Sequence, residues 1–160
     1  MYTIIDLIDK LVKIDEEQYN LYLTISENLE VKNSLKIMAE VFFKEEKKHL
    51  HIFEELKENS STFSDIDIDL ATYDRSVELI YGFSKIKSEI SILNVNELFT
   101  SALIFEKENL SLLLIVQGLL VKLYKDVESR NYIILSEIIK EEQKHIDLID
   151  TILKEASTEE

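Results

Sequence analysis

Across 160 residues there is no proline, and there are only two glycines, Gly82 and Gly118. Tight turns depend on these residues, because glycine supplies positive φ and proline presets the turn. A chain so poor in both can reverse direction only a few times. A β-sandwich or barrel is therefore excluded, and so is a doubly wound α/β fold with its glycine-bearing loops. What remains is a small number of long helices joined by short polar links. An apolar share of 46% beside 31% charged residues can supply the core of such a bundle and argues against a disordered chain. The length suits one domain.

The apolar pattern locates the helices. Over about residues 3–29, steps of four and three visit Ile4, Ile8, Leu11, Asp15, Gln18, Tyr22, Ile25 and Leu29. This is the stripe of a helix facing a core. A second helix over about 33–57 has the stripe Leu35, Ala39, Phe42, Glu46, His49, Phe53, Leu56. A third over about 95–125 has Val95, Phe99, Ala102, Glu106, Asn109, Leu113, Val116, Leu120, with Asn94 or Asn96 as its cap. A fourth, from a Ser129 cap to about Leu153, has Leu135, Ile138, Glu142, His145, Ile149, Ile152. Residues 58–72 read as a polar, turn-like linker. A weaker helical pattern follows over about 73–93, broken by Gly82. The tail KEASTEE is expected to fray.

Each stripe is polar at its middle, and the two halves of the chain repeat one another. IDEEQYNLYLTI from Ile14 matches FEKENLSLLLIV from Phe105, and KEEKKHLHIF from Lys44 matches KEEQKHIDLI from Lys140. Asp15 thus corresponds to Glu106, Gln18 to Asn109, Glu46 to Glu142 and His49 to His145. The repeat is a pair of helical hairpins, over about 3–57 and 95–154. A crossover over about 58–94 joins them, long enough to run the length of the bundle. The expected architecture is an all-α, ferritin-like four-helix bundle in a single domain, with an extra helix in the crossover.

Four carboxylates on core stripes repel one another and are costly to bury. In a partly dry core their pKa values would rise. Two divalent cations would cancel four negative charges, and carboxylates with one imidazole per metal suit iron or manganese. Asp15, Glu46, His49, Glu106, Glu142 and His145 are the candidate ligands, with Glu46 and Glu142 able to bridge. A single Glu-x-x-His motif would more often be a solvated helix face; two of them, each matched with a core carboxylate, make a constellation. Tyr22 is either a hydrogen-bond donor behind the ligands or a plain core tyrosine, and its repeat mate is Leu113. Gln18 and Asn109 order water or cap the polar layer. His51 falls on another face and reads as a surface residue. The run SDIDID lacks the glycine and terminal glutamate of a calcium loop and reads as a linker.

With these residues the chain resembles the ferritin-like superfamily, most closely the rubrerythrin-type domain, over nearly all of its length outside 58–94. The resemblance implies a di-iron centre that reacts with peroxide or dioxygen. Two departures stand out. The family's usual glutamate on the first helix is Asp15 here, and a further family glutamate falls at Asn109. Rubrerythrins often carry an iron–sulfur domain. This chain has no cysteine, so its electrons would come from a separate donor protein. Iron storage, or a metal-free helical interaction module, are the rival readings.

The remaining composition narrows the partners. A net charge of -14 disfavours nucleic acid and anionic membrane surfaces. The absence of cysteine removes disulfides and thiolate metal sites. No secretory signal is visible, and a cytoplasmic location is expected. The third helix is apolar almost all round, which places it centrally or against a second copy, so a homodimer is expected.

Overall fold

The computed structural model describes residues 1–28, 30–59, 66–91, 93–124 and 130–158. The described residues form five helices and one two-stranded ribbon: β1 (Tyr2–Thr3), α1 (Ile4–Glu27), α2 (Asn33–Glu58), β2 (Asp67–Ile68), α3 (Leu70–Glu89), α4 (Val95–Tyr124) and α5 (Arg130–Thr158). The molecule is an all-helical bundle. α1 packs along α2 and α4 along α5, while α3 lies against α1 and α4 and a thinner seam joins α2 to α5. No helix among the described residues is long and apolar enough to cross a membrane.

Local chemistry explains the helix starts. Thr3 accepts from the Asp6 amide, and the Asp6 carboxylate accepts from the Thr3 amide at 2.7 Å, a reciprocal capping box. Asn94 and Glu97 make the same exchange at the head of α4, at 2.9 and 3.0 Å, so Asn94 is the cap rather than Asn96. The Ser129 cap expected for α5 lies outside the described residues.

The linker differs from its sequence reading. Its end forms β2, which pairs antiparallel with β1, and the Ile4 amide donates to the Ile66 carbonyl at 2.8 Å. In the acidic run, Ile68 is buried, and Asp69 caps α3 by accepting from the Thr72 amide at 2.8 Å. That cap starts α3 at Leu70, three residues earlier than the pattern indicates. Nor does Gly82 break the helix. A β-carbon there would stand 2.6 Å from Phe105 Cζ on α4, so the glycine admits a close approach of ring and backbone. The tail is helical to Thr158 rather than frayed from Lys154.

The stripes are buried as their phase requires. Of the α1 set, every described member from Ile4 to Ile25 is buried, including Asp15, Gln18 and Tyr22; the α2 set is buried from Leu35 to Leu56. On α4, Phe99 to Leu120 are buried while Val95 is exposed at the helix mouth. Contacts with α1, α3 and α5 absorb much of the apolar surface of α4, and Ile104 and Leu114 remain exposed.

Candidate metal centre

The polar middles of α1, α2, α4 and α5 meet at one level of the core. Asp15, Glu46, His49, Glu106, Glu142 and His145 are all buried to within 1% of full burial. Their convergence follows from helix phase: i and i+3 lie on one face, so each Glu-x-x-His presents both groups inward. His49 Nδ1 stands 3.2 Å from Glu46 Oε2, 3.3 Å from Glu142 Oε1 and 4.0 Å from Asp15 Oδ2. His145 Nδ1 stands 3.3 Å from Glu46 Oε1 and 3.8 Å from Glu142 Oε2.

These atoms form two overlapping groups that could each hold a cation: Asp15, Glu46 and His49, and Glu46, Glu142 and His145. Ligand atoms within each group lie within 4.8 Å of one another, and Glu46 is common to both. Glu106 belongs to neither group. Asp15 Oδ2, Glu46 Oε1, both Glu142 oxygens and His145 Nδ1 are buried without a hydrogen-bond partner. Buried polar atoms are ordinarily paired. A cluster of buried polar atoms without partners at one point is what a cation would satisfy, so each group could hold a metal ion.

Both histidines are held from behind. His49 Nε2 lies 2.7 Å from Glu141 Oε2, and His145 Nε2 lies 2.6 Å from Glu45 Oε2. The arrangement is crossed, since each carboxylate reaches the histidine of the opposite helix. An Nε2–H donated to Glu141 or Glu45 leaves Nδ1 facing the centre, the usual outer-shell device for orienting a metal-binding imidazole. Glu45 and Glu141 were not among the residues singled out from the sequence. The signal was present, because both repeat copies read Glu-Glu-x-x-His, but in a run as charged as KEEKKH the first glutamate passes for a solvated one. His145 also stacks on Phe42, with ring centroids 4.0 Å apart.

Tyr22 resolves as a donor: its hydroxyl hydrogen-bonds Glu106 Oε1. Gln18 Nε2 donates to Glu106 Oε2 at 2.7 Å, and Asn109 Nδ2 donates to Gln18 Oε1 at 3.2 Å. The two amides therefore order a carboxylate rather than cap the layer. His51 is 75% exposed and pairs only loosely with Glu54 and Glu55, as its helical phase requires. A surface cavity of about 1050 Å³, lined in part by Leu35, Phe99 and Ile152, shares no residue with the centre.

The cluster divides its charge unevenly. Burial pushes the Asp15 and Glu106 carboxyls well above the usual range, reinforced by Glu46 at Asp15 and by Glu142 at Glu106. Glu46 departs from the expectation of four raised acids. Burial acts against its charge too, but the two imidazoles beside it, His145 at 3.3 Å and His49 at 3.2 Å, override it and hold it down to about 2. Burial likewise opposes charge on the histidines, and their carboxylate partners prevail. His145 is raised to about 11, and His49 is raised further. The metal-free centre thus holds protons on both imidazoles, and Glu46 is their shared counter-charge.

Comparison with protein-family models, curated proteins and solved structures returned no significant match.

Proposed function

We propose that the chain is a ferritin-like di-metal carboxylate protein of rubrerythrin type. It would act as an oxidoreductase on peroxide or dioxygen in the cytoplasm, with iron as the metal and manganese as the alternative. The carrying observation is the set of orphaned, buried ligand atoms on Asp15, Glu46, Glu142 and His145, converging in two overlapping groups. Asp15, Glu46, His49, Glu142 and His145 would hold the ions, with Glu106 as the end ligand of the second. A ferrous pair held by these residues would bring two electrons to the chemistry of an O–O bond. Reduction of hydrogen peroxide to two water molecules also takes up two protons, and a separate donor protein returns the electrons. The chain's own part is to keep bulk water from the buried centre, to aim both Nδ1 atoms inward through Glu45 and Glu141, and to hold a Tyr22 proton on Glu106 Oε1.

The same reading has a homodimer formed through α4, where Ile104 and Leu114 are 60% and 49% exposed. A monomer by light scattering at micromolar concentration would remove that part. Elemental analysis of metal-replete protein tests the centre itself. About two iron or manganese per chain are expected, falling in His49→Ala and His145→Ala and unchanged in His51→Ala. Absence of bound metal would leave the interaction-module reading, and a large excess per assembly would favour storage.

A further inference from the structure

A centre this deep needs a way in, and the surroundings of the six candidate ligands are not equally closed. Gln18, Tyr22 and Asn109 are fully buried, and α3 packs on α1 and α4, closing that side. The α2–α5 seam is different. Of the described side chains hydrogen-bonded to the candidate ligands from outside the set, only Glu45 and Glu141 reach solvent, at 26% and 33% exposure. One imidazole separates each of them from an inner acid. His49 has Nε2 2.7 Å from Glu141 and Nδ1 3.3 Å from Glu142; His145 has Nε2 2.6 Å from Glu45 and Nδ1 3.3 Å from Glu46. Each outer carboxylate uses Oε2 on its histidine, and its Oε1 has no hydrogen bond among the described residues. Oxygen donors therefore run from the surface to the unpartnered oxygens of Glu46 and Glu142. A cation is costly to carry into a dry core, and oxygen donors spaced along the way replace its water in stages. The cavity at the bundle end offers no such line. Its lining includes Leu35, Phe99 and Ile152, and the buried stripe residues that follow toward the centre are Ala39, Phe42, Ala102 and Ile149.

Resting on the di-metal reading above, we propose that the α2–α5 seam is the route by which divalent cations enter the centre, with Glu45 and Glu141 as its transit ligands. The charge of Lys48 bears on that route. Glu141 is held low first by its bond to His49 and also by the positive charge of Lys48, which puts this exposed lysine beside the opening. A positive charge there slows an approaching cation, and a negative one draws it in.

The test is stopped-flow absorption as the metal-free full chain is mixed with cobalt(II) at pH 7. In the double variant Glu45→Gln with Glu141→Gln, the amide oxygen still accepts from each Nε2–H, so the histidines stay oriented while both charges are lost. Association should slow by about tenfold or more at about 10 mM ionic strength. About two cobalt per chain should still bind at saturation. Lys48→Glu should speed association by about fivefold at about 10 mM ionic strength and only about twofold at about 0.15 M. Lys32→Glu, the same charge change at the rim of the end cavity, should speed it by less than about twofold. If the double variant does not fold, the lysine pair carries the test alone. An unchanged rate in a double variant that still binds cobalt would overturn the route and leave the di-metal reading standing. Equal acceleration by Lys32→Glu and Lys48→Glu would do the same. No cobalt bound by the unaltered chain would overturn both.

Discussion

The two halves of the repeat place equivalent groups at equivalent depth, and their surroundings make them different. Asp15 on α1 and Glu106 on α4 are repeat mates, and both are buried. Glu106 is met by two donors from α1, whereas Asp15 Oδ2 is met by none. The cause lies in the two turns of sequence that follow each carboxylate. α1 offers Gln18 and Tyr22 where α4 offers the shorter Asn109 and the donorless Leu113. The histidines differ in the same sense. His145 stacks on Phe42, but the mate of Phe42 is Ile138, which has no ring to offer His49. A duplicated hairpin therefore builds a near-symmetric ligand set, and residues one and two turns along decide how each ligand behaves.

The comparison breaks most severely at Glu46, the residue both groups share. Glu46→Ala should abolish binding at both positions. It should also destabilise the metal-free protein by about 3–5 kcal/mol, because it leaves two buried imidazolium ions without their common partner. Urea unfolding beside metal analysis measures both. A loss of one ion only, with unchanged stability, would mean that the halves act independently.

A smaller effect should come from pH. Raised folded-state values on His49 and His145 give stability that is complete below their unfolded value near ~6.5 and is lost as pH rises toward the folded values, about 11 for His145. Asp15 and Glu106, also raised, lose their contribution as pH climbs above the ordinary carboxylate range. Glu46, held low at about 2, works the other way, and its contribution is lost as pH falls below the ordinary carboxylate value toward about 2. The metal-free protein should thus be most stable at mildly acidic pH. Between pH 6.5 and 8 each histidine should remove up to about 2 kcal/mol. Melting temperatures across that range check the sign. A rise instead of a fall would remove the protonated imidazoles from the account. Bound metal should reverse the trend, because it competes with the same protons.

The smallest effect separates the two mates directly. Glu106→Gln should cost the metal-free protein about 1–2 kcal/mol, since an amide offers one acceptor oxygen where Tyr22 and Gln18 bring two donors. Asp15→Asn, at a carboxyl with a bare Oδ2, should change stability by less than about 0.5 kcal/mol. Equal costs in denaturant unfolding would mean that the two positions are alike after all.

Much of this was legible in the residues alone. A chain without proline had little choice but helices, and a stripe with period 3.6 marked which side of each helix would be dry. That phase put Glu46 beside His49 and Glu142 beside His145, because residues three apart on a helix share a face whatever packs against it. The internal repeat added that both pairs would stand at one level. The errors fell where local pattern has no say. Gly82 reads as a breaker until the ring of Phe105 is seen in its place, and the SDIDID run reads as solvent-facing until β1 pairs with its end.

What only the tertiary structure decided is which atom faces which. The bond from Tyr22 to Glu106 spans 84 residues, and those from Glu141 to His49 and from Glu45 to His145 span 92 and 100. Periodicity assigns a residue to a face of its own helix, but says nothing of the residue opposite on another. That depends on the axial offset and rotation with which α1 meets α4 and α2 meets α5, set by the packing of the whole core. The sequence by itself determined the inventory of the centre and its depth; the packing of the helices made one carboxylate bare and its mate bound.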